Sequence, residues 1–462
     1  MNNIPQSTTL SNTTAGTSCF DANHIDVTTI EDLKQVGSDK WTRYPGCIGA
    51  FIAEMDYGLA PCVAEAIEEA TERGALGYIP DPWKKEVARS CAAWQRRYGW
   101  DVDPTCIRPV PDVLEAFEVF LREIVRAGNS IVVPTPAYMP FLSVPRLYGV
   151  EVLEIPMLCA GAGESSGRND EWLFDFDAIE QAFANGCHAF VLCNPHNPTG
   201  MIWDRATLAR LGELCWKHHV TVISDEIHCD LTDPGYGYVP FASAGEHCAM
   251  NSVTCLAPTK TFNIAGLHTA AVMAPDPVLR HKVWRGLNTD EVAEPNAFAV
   301  DAAIAAFGRG GEWLDALRAY LADNKREAHA MIDAYNASAP LNRQVRLLEG
   351  HATYLMWLDC SAFTRSGKAQ AGAEAGEPDV DPFDAALSLA DPDIARDTAD
   401  SVSFADTDGL CDYLRREHRV FFSPGAQFGG DGRDFIRINV ATQRARMREG
   451  LRRLTAGLEA LR

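Results

Sequence analysis

The sequence predicts an α/β fold with a large domain on a mostly parallel sheet, helices on both its faces, and a second, smaller α+β domain. Three observations carry that reading. From about residue 62 to 275, short apolar runs alternate with amphipathic stretches of helical period. Past residue 295 the pattern changes to long helical stretches with isolated strand-like runs. The chain has 462 residues, 47% of them hydrophobic, which is enough to bury more than one core.

Taken in order, residues 1–20 are rich in Ser, Thr and Asn. They lack the basic and apolar regions of a signal peptide and read as a disordered tail. The large domain is expected over residues 62–295. Its candidate strands are Ile131–Val133, Val152–Ile155, Ala189–Cys193, Val220–Ile223, Val253–Leu256 and Ala270–Met273, with amphipathic stretches such as Arg205–His218 between them. A helix is predicted over Asp112–Arg126, with Val113, Phe117, Phe120, Leu121 and Ile124 on one face. Asp112 and Glu115, after Pro111, suggest a capping box at its start. The small domain takes in residues 21–61 and 296–462. Helices are expected at Asn296–Phe307, Glu312–Tyr335, Asp408–Glu417 and Thr442–Leu461, and strands at Thr353–Leu358 and Phe435–Val440. Within it, residues 361–405 are dominated by Ala, Gly, Asp and Ser, with too little bulky apolar content to fold alone. They read as a flexible, solvent-exposed insertion, or as a lid over the active site.

The charge balance narrows the partners. Lys and Arg number 41 against 63 Asp and Glu, a net −22, which argues against nucleic acid and anionic membranes. No window approaches the ~20 apolar residues of a membrane span. The 14 cysteines are scattered without C-x-x-C spacing, as reduced core thiols would be, so a cytoplasmic protein is expected.

The chemistry concentrates at the ends of three apolar runs. Asn194-Pro-His-Asn-Pro-Thr-Gly200 follows the first, Ser224-Asp-Glu-Ile-His228 the second, and Ala257-Pro-Thr-Lys-Thr-Phe-Asn-Ile-Ala-Gly-Leu267 the third. A lysine emerging from a buried strand is costly unless its amine is neutral or covalently used. An Asn-Pro-Thr-Gly turn, an Asp at one strand end and a Lys at the next supply the polar contacts that pyridoxal 5′-phosphate needs. Lys260 fits as the group that holds the cofactor aldehyde and shuttles the substrate Cα proton. Asp225 fits as the acid that keeps the pyridine nitrogen protonated, and its neighbour Glu226 should face the other way. Asn197 and His228 are candidates for the ring's phenolic oxygen, and Tyr138 for stacking on the ring. The phosphate is expected at the start of the Asp112 helix, on backbone amides near Val113 and Leu114 and on Thr259. Asp112 itself is a complication there, because a carboxylate repels a dianion. Arg437, alternating with apolar neighbours in Phe435-Ile-Arg-Ile-Asn439, is the expected fork for a substrate carboxylate.

These residues together resemble the fold-type I pyridoxal-phosphate enzymes, with the aspartate aminotransferase-like fold of PLP-dependent transferases. More narrowly they resemble the MalY/PatB class of cystathionine β-lyases, or cysteine-S-conjugate β-lyases. The narrower likeness rests on Ser38-Asp-Lys-Trp41, Ala53-Glu-Met-Asp-Tyr57, Gly77-Tyr78, the Ser224–Leu231 and Ala257–Leu267 segments, and Ser423-Pro-Gly-Ala-Gln-Phe428 leading to Arg437. It implies Lys260 as the Schiff-base lysine, Asp225 on the pyridine nitrogen, Asn197 on the phenolic oxygen and Arg437 on the substrate carboxylate. It also implies a homodimer in which Tyr78 reaches the phosphate of the other subunit's cofactor. Aminotransferases of class I usually carry Gly-x-Arg after the lysine, where this chain has Gly266-Leu267-His268, and often Tyr where His228 stands. Both departures favour β-elimination over transamination. The expected activity is therefore a pyridoxal-phosphate carbon–sulfur β-lyase that acts on a small amino-acid thioether, L-cystathionine or a related cysteine S-conjugate, and releases thiol, pyruvate and ammonia. A class I/II aminotransferase and a PLP-binding regulatory protein are the alternatives.

Overall fold

A computed structural model of the chain describes residues 28–74, 77–160, 171–290, 294–364 and 403–461. The 1–20 tail and most of the 361–405 insertion lie outside the described residues. The insertion's two ends do lie within them: Thr364 bridges to Phe404, and Phe363 and Phe404 are both buried.

Fourteen strands are described. β1 is Ile48–Ala50, β2 Ile107–Val110, β3 Ser130–Thr135, β4 Glu151–Pro156, β5 Leu158–Ala160, β6 Glu171–Leu173 and β7 Ala189–Cys193. β8 is Thr221–Asp225, β9 Ser252–Leu256, β10 Ala270–Met273, β11 Arg346–Leu347, β12 Leu355–Asp359, β13 Val420–Pro424 and β14 Phe435–Asn439. Seven of them form one sheet in the order β2-β10-β9-β8-β7-β3-β4. All its neighbours pair in parallel except β10, which runs antiparallel to both β9 and β2. The central strands β7 and β9 are buried along their whole length, as a sheet covered on both faces requires. The sequence reading passed over β2, because Pro109 breaks its pattern. Pro109 sits in register with Ala271, and β2 forms the sheet edge, where a missing N–H is tolerated.

A five-stranded sheet in the order β1-β13-β14-β12-β11 builds the second core, in which Trp41, Leu358, Phe422, Ile436, Leu451 and Leu454 are buried together. The 28-residue helix Gly311–Ser338 joins the two bodies. Its first half packs Trp313, Leu314, Leu317 and Leu321 into the core beside the large sheet, and its second half gives Ala328, Ile332 and Tyr335 to the other core. The helix Ala297–Arg309 buries a stripe of Ala299, Ala302, Ala303 and Ala306, small residues that permit close helix packing.

Two local expectations come out differently. The Asp112–Arg126 helix is α-helical over Val113–Phe120 and then widens into a π turn over Leu121–Val125. Its start is no capping box: Asp112 accepts the Leu114 amide at 2.8 Å. Glu115 lies near Asp290, and burial together with that neighbour pushes its carboxyl up to about 7. The last helix begins at Arg444 rather than Thr442.

Candidate active site

The large sheet collects its polar residues at one edge. β7, β8 and β9 are in register, with Cys193 opposite Asp225 and Asp225 opposite Cys255. The chain leaves these strands toward Asn197, His228 and Lys260, and leaves β3 toward Tyr138. In a parallel sheet the residues beyond adjacent carboxyl ends converge in space, so motifs about 30 residues apart in sequence become neighbours.

Lys260 sits on a one-turn helix, Pro258–Thr261, that opens with proline directly after the extended Ala257. Thr261 anchors that turn through its hydroxyl, which donates to Asp230 at 2.9 Å. Asp230 also accepts Trp94 Nε1 at 2.8 Å. The Lys260 amine donates to the Ala53 carbonyl at 3.4 Å. Burial lowers its pKa, helped by the nearby Arg437 guanidinium and opposed by Asp112 and Asp225. A lysine that loses its proton readily is one that can act as a nucleophile or base.

Asp225 is 5% exposed, and one oxygen accepts the Ile227 amide at 3.3 Å. Burial pushes its carboxyl up to about 7. A cation placed against it would bring it back to the ionised form. Glu226 faces the other way, as expected, bonded to Ser224 Oγ, the Phe241 amide and the Tyr238 hydroxyl. His228 is buried with its ring edge toward Tyr354, centroids 6.4 Å apart. Burial pushes its pKa down to about 3, so the imidazole is neutral at pH 7. Tyr138 contacts Phe141 edge-on and is pushed up to about 12 by burial and by Asp225, which keeps its hydroxyl protonated.

Arg437, on β14 of the other sheet, reaches into this group. Its Nη1 donates to Asn197 Oδ1 at 3.2 Å, and its Nη2 to the Phe51 carbonyl at 3.0 Å and Ser423 Oγ at 3.2 Å. The guanidinium carbon lies 4.9 Å from the Phe428 ring centroid. Arg437 has no carboxylate partner among the described residues, although it is 5% exposed. A buried guanidinium held only by neutral oxygens is set up for an anion.

The sequence reading missed how the segment Phe51–Asp56 is held. Its carbonyls are taken one by one. Phe51 binds Arg437, and Ile52 and Glu54 bind Asn439 Nδ2 at 2.6 and 2.7 Å. Ala53 binds Lys260 and the Tyr354 hydroxyl, the latter at 3.0 Å, and Met55 binds Asn263 Nδ2 at 2.9 Å. Asn263 also accepts the Met55 amide at 2.9 Å, and it adopts positive φ (56°) to do so. Asp56 closes the segment in a buried ionic cluster with Lys40 at 3.3 Å, Arg446 at 3.4 Å and the Trp41 indole at 2.8 Å. The cluster joins the Ser38–Trp41 and Ala53–Tyr57 segments, two of those that carry the likeness above. The sole clue in sequence was that quoted pair.

The other expected residues are placed as follows. Val113 is buried at the helix start, the Leu114 amide is already taken by Asp112, and Thr259 is partly buried on the lysine's own turn. Tyr78 stands fully exposed (102%), outside the group. The donor set fits pyridoxal 5′-phosphate: a lysine with lowered pKa, a buried carboxyl near 7 for a ring nitrogen, and neutral donors around. Two buried atoms inside it, His228 Nδ1 and Arg437 Nε, have no hydrogen-bond partner among the described residues.

Residues 49–454 match the family described as aminotransferase class I and II. Cystathionine β-lyase PatB of Bacillus subtilis is 34% identical over 429 residues, which span 91% of this chain and 96% of PatB. The cystathionine β-lyase of Corynebacterium glutamicum is 29% identical across 93% of this chain and 99% of that protein. Cystalysin of Treponema denticola, whose crystal structure contains pyridoxal 5′-phosphate, shares the fold with a TM-score of 0.77 at 23% identity, covering 95% of this chain and 99% of cystalysin. The chain belongs to the class I and II aminotransferase family, on the branch that includes PatB.

Proposed function

We propose that this protein is a pyridoxal 5′-phosphate-dependent carbon–sulfur β-lyase that cleaves L-cystathionine or related cysteine S-conjugates to a thiol, pyruvate and ammonia. The observation that carries the proposal is the convergence of Lys260, Asp225 and Arg437 from two sheets within electrostatic reach of one another, in a chain whose relatives are named cystathionine β-lyases.

When bound, pyridoxal phosphate supplies a sink for the electron pair left at the substrate Cα. Lys260 would hold its aldehyde, Asp225 its ring nitrogen, and Asn197, His228 and Tyr138 its ring. Arg437 binds the substrate carboxylate as a fork and so fixes the rotation about Cα. Lys260, with its lowered pKa, takes the Cα proton. The Cβ–S bond then breaks and the sulfur leaves as thiolate with the bonding pair. Water completes the conversion of the three-carbon remainder to pyruvate and ammonia. The reading extends to a homodimer in which the exposed Tyr78 of one subunit completes the site of its partner.

Incubation with pyridoxal phosphate and L-cystathionine, with no keto acid, tests the proposal. Equal amounts of pyruvate and thiol are expected. Thiol without pyruvate would mean γ-cleavage. Turnover that requires a keto acid would mean transamination, the chemistry for which the family is named.

A further inference from the structure

Two titratable groups stand beside the cofactor residues without a part in the reaction above. Asp112 stands ahead of the helix Val113–Phe120; its Oδ1 accepts the Leu114 amide at 2.8 Å, and its Oδ2 lies 3.9 Å from His268 Nδ1. The sheet brings the two together. Val110 and Ala270 are register partners, so the residues just past β2 and just before β10 share one edge. Lys260 follows β9 at that same edge, since Leu256 pairs with Ala271. The Asp112 charge is felt by Lys260, Asp225 and Tyr138, which places it within electrostatic reach of the cofactor groups.

A helix N-terminus attracts an anion through amides that have no partner inside the helix. Here Asp112 takes one of those amides and adds a negative charge of its own. A phosphate at the same helix end competes for the Leu114 N–H and is repelled by the carboxylate. His268, when protonated, is the compensating group, but its side chain is 65% exposed, so solvent weakens the compensation.

We infer that Asp112 is a built-in competitor for the phosphate of the cofactor, lowering cofactor affinity, and that His268 relieves part of that competition by pairing with Asp112. The inference rests on the pyridoxal-phosphate reading above.

The test resolves holoenzyme to the cofactor-free chain and titrates pyridoxal phosphate back, reading tryptophan quenching and the absorbance of the Lys260-bound form. The chains compared are the unmodified protein, Asp112→Asn, His268→Asn and the double variant. Asparagine keeps the oxygen that caps Leu114 and removes only the charge, so the helix start survives. Asp112→Asn should tighten the dissociation constant on the order of tenfold. His268→Asn should weaken it several-fold alone and do nothing in the Asp112→Asn background. Equal or weaker binding by Asp112→Asn overturns the competition. A His268→Asn loss that persists in the double variant assigns the imidazole to the phosphate itself and overturns the pairing. If the unmodified chain binds no pyridoxal phosphate, the cofactor reading fails as well. Normal binding that no variant changes sinks this inference alone.

Discussion

The two sides of the candidate site are built on opposite plans. The Lys260–Asp225 wall stands on consecutive strands of one parallel sheet, and each function rests on a single side chain placed by the strand before it. The Phe51–Asp56 wall has no strand pairing of its own past Ala50, and it is held by Arg437, Asn439, Tyr354, Lys260, Asn263 and Lys40 from distant parts of the chain. One wall concentrates its chemistry in a few groups that nothing else replaces. The other spreads its support over many bonds, each worth about 0.5–1.5 kcal/mol net. Substitutions in the first should therefore erase activity and spare the fold, and single substitutions among the second wall's other supports, Lys260 and Arg437 aside, should do little of either, except at its ionic anchor.

The largest expected effect is at Lys260. Lys260→Ala should cost at least the ~10²–10⁴-fold that a positioned base contributes, with the fold retained in circular dichroism. Full activity in that variant would remove Lys260 as the base. Next, Arg437→Lys keeps the charge and loses the fork, so kcat/KM should fall by the equivalent of about 2–5 kcal/mol, mostly through KM. A loss confined to kcat would instead place Arg437 away from the substrate carboxylate.

Asp56→Ala tests the anchor. It leaves Lys40 and Arg446 buried, 2% and 7% exposed, without their carboxylate. Stability in urea should drop by about 3–5 kcal/mol. A drop below about 1 kcal/mol, the scale of one ordinary hydrogen bond, would show that the cluster is not what secures this wall.

Asp225→Asn should move stability the other way. In the folded cofactor-free chain burial pushes the Asp225 carboxyl up to about 7, well above the ~3.9 of an unburied Asp. Between those values the folded state keeps a proton that the unfolded chain releases, so this group's contribution to stability falls as pH rises. The penalty is complete above about pH 7 and absent below about pH 4. Asparagine lacks that penalty, so the variant should gain about 1–3 kcal/mol at pH 8 and little at pH 4, while turnover is lost. Equal shifts at both pH values would mean that the carboxylate is solvated in the native state.

The smallest effect belongs to Tyr354→Phe, which removes one of the two side-chain bonds to the Ala53 carbonyl. A stability change of about 0.5–1.5 kcal/mol and near-normal turnover are expected. A collapse of activity would show that the distributed wall depends on this one bond.

The contrast also marks what was legible in the chain. The strand runs that lead to Asn197, Asp225 and Lys260 could be read because burial on both faces makes a parallel strand continuously apolar, and the polar residues at or just beyond its end stand out. Arg437 could be read for the same reason, as the one charge in Phe435–Asn439. Asn263, Asn439 and Tyr354 could not, since an Asn or Tyr that clamps a backbone carbonyl looks in sequence like any turn or core residue. β2 was hidden by Pro109, and the Asp112 cap was visible while its partner His268, more than 150 residues away, was not.

Sequence by itself determined the α/β architecture, the order of the chemical residues along it and their residue types, because apolar periodicity and strand-end polarity are local properties. Only the tertiary structure decided which side chains hold the Phe51–Met55 carbonyls, that Asp56 is neutralised by Lys40 and Arg446, and that Asp112 already holds the amide awaited for the phosphate. Those are facts of register and close approach between segments far apart in the chain, and a hydrogen bond depends on angstroms that no local pattern encodes.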